Sequence, residues 1–385
     1  MEVKANIESF AKIKVIGVGG SGGSAVNRMI SSKIRGVDFL VANTDIQALH
    51  HSEASTKLQI GKSITKGLGA GMDPELGKKA AEENQNEIRD ALAGADMVFI
   101  TCGLGGGTGT GAAPVVAELA KDIGALTIAV VSKPFTFEGA QRKSVSEKGW
   151  DSLASKVDAI ITVPNDKILQ ISDKKTTIRE AFEMADEVLQ QGVRGISELI
   201  TVPGEPNLDF NDVRAIMKGA GTALMGIGLG SGENRAVEAA KMAIASPLLD
   251  ISIEGARGVL FTITGSSNLG ILEINEAAKV ITSSTDPDAR VIFGAAIDDS
   301  MDDDVRITVI ATGFNDHDKT VSKAQFEKVY AERPTMPSQI MFGAAAPRTA
   351  APMRASKDDA SGKADEKQDA SDDIEIPAFI RKKMM

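Results

Sequence analysis

The strongest constraint on the fold is an alternation of strand-like apolar runs with helical patterns that begins at residue 12. Continuous apolar runs lie at 12–18, 37–44, 95–102, 125–132 and 157–164, and the helical stretches between them include 77–93, 110–122 and 140–155. Strands that are apolar along their whole length are typical of a parallel sheet covered by helices on both faces. We therefore predict an α/β domain with a doubly wound parallel sheet over residues 12–176, after an N-terminal tail at 1–11.

Three further zones follow this domain. Residues 177–202 carry one long helical pattern, which would span roughly 35–40 Å at about 1.5 Å per residue and is typical of a connecting helix. Residues 203–314 predict a second, smaller α+β domain with a mixed sheet. Residues 315–373 are rich in Ala, Pro, Ser, Asp and Lys and have too few apolar side chains for a core, so we predict a mostly disordered linker.

The last residues, 374–385, regain apolar character. A short amphipathic segment after a disordered linker is typical of a peptide that docks on a partner, and the alternative is a frayed terminus. On the docking interpretation Ile376, Pro377 and Phe379 are the anchors, Ile374 and Ile380 also bind the partner, and Arg381, Lys382 and Lys383 add charge contacts.

The overall composition excludes several classes of protein. The chain has 43 basic and 53 acidic residues, and a net charge of −10 argues against nucleic-acid binding, which needs a basic surface. A single cysteine, Cys102, excludes a disulfide framework and fits a reducing compartment. Three histidines without Cys/His ligand spacing predict no metal held by protein ligands alone. Without a signal sequence or an apolar run of about 18 residues, we predict a cytoplasmic protein that does not insert into a membrane.

The first strand runs directly into a glycine-rich segment at 17–24, where a helix begins. Backbone N–H groups at such a helix start form an anion site, because they are unpaired and the helix dipole favours negative charge. Gly17, Gly19 and Gly22 also satisfy G-x-G-x-x-G, and Asp45 closes the second strand. A dinucleotide-binding fold, and with it an NAD(P)-dependent oxidoreductase, is therefore one alternative.

A second glycine-rich loop, at 103–111, follows the third strand and opens another helix. Two such loops at one sheet edge offer N–H groups to a polyphosphate, which favours a nucleoside triphosphate. Neither loop contains a lysine, so amides, dipoles and a cation, most simply Mg²⁺, must offset the phosphate charge. The chain has 38 glycines where about 27 are expected, and these loops match the surplus. A third segment, 67–72, is placed to fold over the terminal phosphate.

Several motifs together resemble the tubulin/FtsZ family, whose bacterial members are cell-division GTPases. GGGTGTG at 105–111 occurs with GVGGSGGSAV at 17–26, VANTD at 41–45, GLGAG at 67–71 and NLDFND at 207–212. The resemblance covers about residues 12–314, and the terminal DDIEIPAFIRKK is similar to the family's adaptor-binding peptide. It implies a tubulin/FtsZ-like fold and GTP as the substrate.

The resemblance also implies which residues hold the nucleotide. Phe182 and Asp186 would share a helix face, where the ring stacks on a purine and the carboxylate accepts guanine N1–H and N2–H. Without the resemblance, Phe182 suits a core position and Asp186 suits a solvated one. The implied nucleotide-binding residues are Gly19, Gly20, Ser21, Gly22, Gly23, Ser24, Gly106, Gly107, Thr108, Gly109, Glu138, Arg142, Asn165, Phe182 and Asp186.

Two of these positions depart from the family pattern. Ser24 stands where the family usually has an asparagine that helps to recognise the base, so its share of guanine recognition falls to Asp186. Ser21 replaces a common glycine, which is tolerable if its φ is negative.

The catalytic residues implied by the resemblance are Asp209 and Asp212, which follow the long helix. From the residues alone, Asp209 is an N-cap for a helix at 210–218. In the family, this loop meets the nucleotide of the next subunit in a head-to-tail filament and orients the attacking water. The resemblance thus implies assembly-dependent hydrolysis and a cell-division ring at midcell on the inner membrane surface. The terminal peptide would bind a membrane-tethering adaptor and other division proteins. A non-hydrolysing tubulin-like relative is the second alternative.

Overall fold

The computed structural model describes residues 11–173, 175–201, 209–246, 253–298 and 301–314. Its strands are β1 Ile13–Val18, β2 Val37–Asn43, β3 Thr56–Gln59, β4 Met97–Gly103, β5 Leu126–Lys133, β6 Ala159–Pro164, β7 Gly221–Gly230, β8 Gly258–Gly265, β9 Arg290–Ile297 and β10 Val305–Thr312. Its helices are α1 Gly19–Ser31, α2 Ile46–His50, α3 Lys62–Thr65, α4 Pro74–Glu83, α5 Gln85–Leu92, α6 Thr108–Asp122, α7 Ala140–Ala154, α8 Asn165–Ile171, α9 Ile178–Thr201, α10 Phe210–Met217, α11 Arg235–Ile244 and α12 Ile271–Thr282.

All ten strands in the described part of the chain belong to one sheet, in the order β3-β2-β1-β4-β5-β6-β7-β10-β8-β9. The pairs from β3 to β7 are parallel, β10 is antiparallel to β7 and β8, and β8 pairs parallel with β9. The predicted fold class, a parallel sheet followed by a mixed one, is confirmed. The mixed part is not a separate sheet, however, because β7 pairs with β6 from Ala159↔Gly221 to Ile161↔Ala223.

The sheet is buried on both faces, which explains its continuously apolar strands. Along β1, Val15 points into a core shared with α1, α9 and α10, and Ile16 points into a core shared with α4 to α7. Neither side chain is accessible to solvent. Burying a side chain of this size stabilises the fold by about 1.5–3 kcal/mol. A third apolar cluster packs α11 and α12 against β8, β9 and β10.

The predicted helix at 77–93 is two helices, α4 and α5, which meet at Asn84. The Asn84 side chain accepts a hydrogen bond from the backbone N–H of Gly61 at 2.8 Å. Asp73 caps α4 and Pro74 follows it, so this helix begins earlier than its apolar pattern indicates.

The long helix α9 runs from the carboxyl edge of the sheet to its amino edge. Near its start, Phe182 packs edge-on against Phe135, which follows the carboxyl end of β5, at a ring-centroid distance of 5.2 Å. At its end, the hydroxyl of Thr201 donates to the carbonyl of Arg35, just before β2, at 3.4 Å. The 24 residues of α9 therefore span about 36 Å between the two edges.

Helices α4 and α6 approach each other until their backbones touch. A Cβ built on Gly111 of α6 would lie 1.9 Å from the carbonyl oxygen of Pro74, and one built on Gly77 of α4 would lie 2.4 Å from that of Gly107. Glycine is required at both positions because no side chain fits between the two backbones.

We expect Gly111→Ala to lower the free energy of unfolding by about 1–3 kcal/mol, since overpacking of this kind forces backbone shifts. Alanine is the better helix former by about 1 kcal/mol, so a loss of stability would show that the contact dominates. Denaturant unfolding measures the change. Gly69→Ala is the control, because a Cβ there meets no atom within 4 Å. Equal stability of the two variants would contradict the close contact.

Candidate functional site

The two glycine loops meet at the carboxyl edge of the sheet. Strand β1 leads into α1 and the neighbouring β4 leads into α6, so both helices begin at the same edge. Gly19, with a φ of 75°, lies so close to the second loop that a Cβ on it would be 2.8 Å from the backbone nitrogen of Gly109. The positive ends of two helix dipoles therefore converge on one place, which favours a ligand with several negative charges.

The open surface between the loops is lined by Gly20 and Gly106. A Cβ built on either residue would meet no protein atom within 4 Å. By contrast, a Cβ on Gly22, Gly107 or Gly109 would lie within 3.0 Å of a protein atom. The surplus glycine thus serves two purposes: Gly20 and Gly106 leave room for a ligand, and the others allow the loops to pack.

Hydroxyl groups hold the second loop in place. The Thr108 hydroxyl lies 2.8 Å from that of Thr44, at the end of β2, and Thr110 accepts from the backbone N–H of Gly105 at 2.9 Å. The segment at 67–72 approaches the same loop, because a Cβ on Gly107 would lie 2.8 Å from Cβ of Ala70. These contacts order the backbone N–H groups before any ligand binds.

A cluster of three phenylalanine rings lies beside the loops. Phe135 stacks on Phe137 at a centroid distance of 4.9 Å and contacts Phe182, whose side chain remains 41% exposed. Phe182 is therefore not a core residue and has a face open to a ligand. Glu138 accepts from the backbone N–H of Phe135 at 2.9 Å and forms an ion pair with Arg142.

Asn165, at the start of α8, supplies an unused acceptor at this edge. Its side chain is 4% exposed, and Oδ1 has no hydrogen-bond partner among the described residues. A buried acceptor without a partner costs about 1–3 kcal/mol, so a donor from a ligand would stabilise this position. A ribose hydroxyl is a donor of that kind.

Asp186 lies one turn below Phe182 on α9 and is half-buried, so it is not the solvated residue that its sequence context alone suggests. Burial raises the pKa of its carboxyl group to about 6, the charge of Arg28 opposes this rise, and Glu183 adds to it. An ionised carboxylate in a half-buried position offers strong acceptors to two adjacent N–H donors.

Asp209 and Asp212 lie at the opposite edge of the sheet. They form a capping box at the start of α10, in which Asp209 accepts from the backbone N–H of Asn211 and Asp212 accepts from that of Asp209 at 3.3 Å. The predicted N-cap at Asp209 is confirmed. After α10 the backbone N–H of Gly221 donates to the carbonyl of Asp158, at the amino end of β6, at 2.9 Å. The predicted docking residues at 374–385 lie outside the described residues.

The structure thus brings together the predicted phosphate, ribose and base residues and separates them from the two aspartates. Sequence reasoning missed Arg28, Thr44, Ala70 and Phe135, which border the same site. Thr44 had a signal, because it lies in the VANTD segment at the end of β2. Ala70 had one as well, because it lies in the GLGAG segment at 67–71, whereas Arg28 and Phe135 have none that one sequence shows.

Comparison with known proteins identifies the class. The model of the Tubulin/FtsZ family GTPase domain matches residues 12–173, and that of the FtsZ family C-terminal domain matches residues 221–315. A solved FtsZ dimer from M. jannaschii is 45% identical with a TM-score of 0.77, and the match covers 79% of this chain and 89% of that one. A tryptophan-to-tyrosine mutant of the same archaeal FtsZ matches with equal identity and TM-score, and the match covers 79% of this chain and 92% of that one.

A more distant solved structure, the GDP-bound CetZ1 monomer of Haloferax volcanii, is 22% identical with a TM-score of 0.69. That match covers 79% of this chain and 95% of CetZ1, and it supports the fold alone. The chain belongs to the FtsZ family of tubulin-like cytoskeletal GTPases. It binds and hydrolyses GTP, which leaves no support for the oxidoreductase and non-hydrolysing alternatives. Among the described residues, none of the helices has the length and apolarity needed to cross a membrane.

We expect GTP affinity to fall as the pH is lowered through about 6, because protonated Asp186 cannot accept from both guanine donors. The sign follows from linkage: a base that pairs its N–H donors with the ionised carboxylate loses up to tenfold in affinity for each pH unit below this pKa. The γ-phosphate titrates in the same range, so Asp186→Asn is the control that retains only the phosphate step. Competition binding between pH 5 and 8, from about one unit below the pKa of Asp186 to about two above it, gives both curves. Identical pH curves would rule out Asp186 as the titrating group.

Proposed function

We propose that this GTPase assembles head to tail into filaments, and that the acidic loop of one subunit completes the GTP site of the next. The observation that carries the proposal is the separation within one chain of the glycine loops and the Asp209/Asp212 pair. They lie at opposite edges of the sheet, which α9 connects over about 36 Å. The aspartates therefore cannot reach a nucleotide bound to their own subunit.

The surface around the glycine loops supports a subunit contact. Large apolar side chains are exposed there, including Leu68 at 70%, Phe137 at 60% and Ile178 at 69%. Exposed apolar side chains clustered at a binding site are typical of a protein interface. A contact between the nucleotide edge of one subunit and the opposite edge of the next joins two different surfaces, so it generates an open filament. Two relatives of solved structure, an FtsZ dimer and a GTPγS-bound CetZ2 protofilament, agree with self-assembly in this fold.

Within the proposed site, the triphosphate lies on the backbone N–H groups around Gly20 and Gly106, and Glu138, Arg142 and Asn165 hold the ribose. Phe182 stacks on guanine and Asp186 accepts from its N1–H and N2–H. Mg²⁺ would accompany the phosphates and neutralise part of their charge. Among the described residues, no group of three or more His, Cys, Asp or Glu side chains is arranged to hold a metal ion, so phosphate and water oxygens would supply most of its ligands.

In the filament, Asp209 and Asp212 orient and polarise the water that attacks the γ-phosphate. Both side chains are exposed, and the capping box fixes their position relative to α10. Phosphoryl transfer depends mainly on positioning and charge stabilisation, so two carboxylates held on a helix start are suited to this role.

At the cellular level, the proposed filaments form the cell-division ring at midcell, on the inner surface of the cytoplasmic membrane. Residues 374–385 would dock on a membrane-tethering adaptor and other division proteins, with Ile376, Pro377 and Phe379 as anchors. GTP hydrolysis would weaken the subunit contact and allow the filaments to turn over.

We expect GTP turnover per subunit to rise from near zero above a threshold protein concentration, since the site is complete only in an assembled filament. Asp212→Asn should bind GTP normally and lose about 100-fold or more in turnover. The asparagine oxygen still accepts from the N–H of Asp209, so the start of α10 is preserved. Phosphate release over a dilution series, with light scattering in parallel, measures both effects.

A mixing experiment tests whether catalysis occurs between subunits. Gly20→Asp places a carboxylate in the open space between the loops and should abolish GTP binding without a clash. Mixed with Asp212→Asn subunits, it supplies intact aspartates and should restore part of the turnover. The double variant G20D/D212N mixed with the same partner should restore none. Turnover that stays constant per subunit at high dilution would refute hydrolysis between subunits.

Removal of residues 374–385 should abolish recruitment to membranes and leave GTP turnover unchanged, because the deletion lies outside the GTPase domain that matches the family. Co-pelleting with inverted membrane vesicles of the host measures recruitment, and Phe379→Ala tests the main anchor without shortening the chain. A truncated chain that still pellets with vesicles would refute the docking assignment.

A further inference from the structure

Arg28 lies next to the proposed base pocket and is not fully used within the protein. It projects from α1 towards α9, where its Nη2 lies 3.8 Å from Oε1 of Glu183. Its Nε is buried and has no hydrogen-bond partner among the described residues. Its charge also acts on Asp186, the carboxylate of the same pocket. The side chain as a whole is 33% exposed, so the outer part of the guanidinium group has donors to offer to a ligand.

Stability of the fold does not explain Arg28. An ion pair at 3.8 Å between side chains that are 33% and 41% exposed contributes little, because solvent screens it. Glu183 already has a closer partner, Nε of Arg179 at 3.0 Å, on its own helix. A buried donor without a partner is itself unfavourable.

The position of Ser24 suggests what Arg28 does. Ser24 and Arg28 are four residues apart on α1 and share one face of the helix. Ser24 is exposed and has only one short hydroxyl group to offer to a base. The Arg28 side chain starts one turn further from the loops, and it is long enough to reach back towards the base.

We propose that Arg28 is a specificity-determining residue that donates to O6 and N7 of guanine, next to the N1–H and N2–H edge held by Asp186. This inference rests on the proposed nucleotide site. Arginine forks pair with guanine O6 and N7 more often than with any other base edge in nucleic-acid complexes, and the same geometry is available to a free nucleotide.

Arg28 and Asp186 would each discriminate against adenine, at two neighbouring edges of the base. Adenine carries an amino group where guanine has O6, and arginine has only donors, so the two would repel. Adenine also lacks the two donors that Asp186 requires. The positive charge of Arg28 opposes the rise in the pKa of Asp186, which keeps more of the carboxylate ionised for guanine.

The test compares Arg28→Met, similar in length but uncharged and without donors, with Arg179→Met, which removes the other partner of Glu183 from an 89% exposed position. Competition binding with GTP, ITP and 7-deaza-GTP separates the contacts, since ITP lacks only the N2 amine and 7-deaza-GTP lacks only N7. We expect Arg28→Met to weaken GTP binding about tenfold and to bind GTP and 7-deaza-GTP equally. Its preference for GTP over ITP should persist, and Arg179→Met should behave like the unchanged chain.

Equal binding of GTP and 7-deaza-GTP by the unchanged chain would overturn the proposal without any variant, so failure of Arg28→Met to fold leaves it testable. The proposal would also be overturned if folded Arg28→Met kept the ratio of GTP affinity to 7-deaza-GTP affinity that the unchanged chain shows. Failure of the unchanged chain to bind GTP at all would instead refute the proposed nucleotide site.

Discussion

The backbone contact between Gly19 and Gly109 is the constraint on which the site depends. It is possible only because Gly19 has no side chain and adopts a left-handed φ of 75°. The contact brings the starts of α1 and α6 together over neighbouring strands, so two sets of unpaired N–H groups share one space. Any Cβ at Gly19 would separate the loops and, with them, the two helix dipoles.

The parallel half of the fold could be predicted from the sequence, and parts of the rest could not. Strands such as β1 have a continuously apolar sequence that can be recognised, because both of their faces are buried, as Val15 and Ile16 show. Strand β3 has four residues at the sheet edge and only one large aliphatic side chain, Leu58, so no pattern marks it. The break between α4 and α5 depends on a hydrogen bond from Gly61, 23 residues away, and local propensity does not reveal such a contact.

The same distinction applies to the site. The glycine loops could be named in advance from their spacing along the chain, and the resemblance to the family supplied Asn165 and the Phe182/Asp186 pair as predictions. Arg28 and Phe135 could not be recognised from the sequence alone, because their roles arise where α1, α9 and the end of β5 meet. The pairing of β6 with β7 joins the two predicted sheets. It likewise depends on tertiary structure, because it involves only three residue pairs and has no sequence signature.

The capping box at Asp209 and Asp212 has a consequence for how this chain can vary. Each carboxylate accepts a hydrogen bond from the backbone of its own loop, and each is also proposed to face the water of a neighbouring subunit. Asparagine keeps the hydrogen bond but loses the charge, alanine removes both, and glutamate keeps the charge but changes its reach. A substitution at these positions that removes the hydrogen bond therefore weakens the start of α10 in the single subunit, in addition to its effect in the assembled filament.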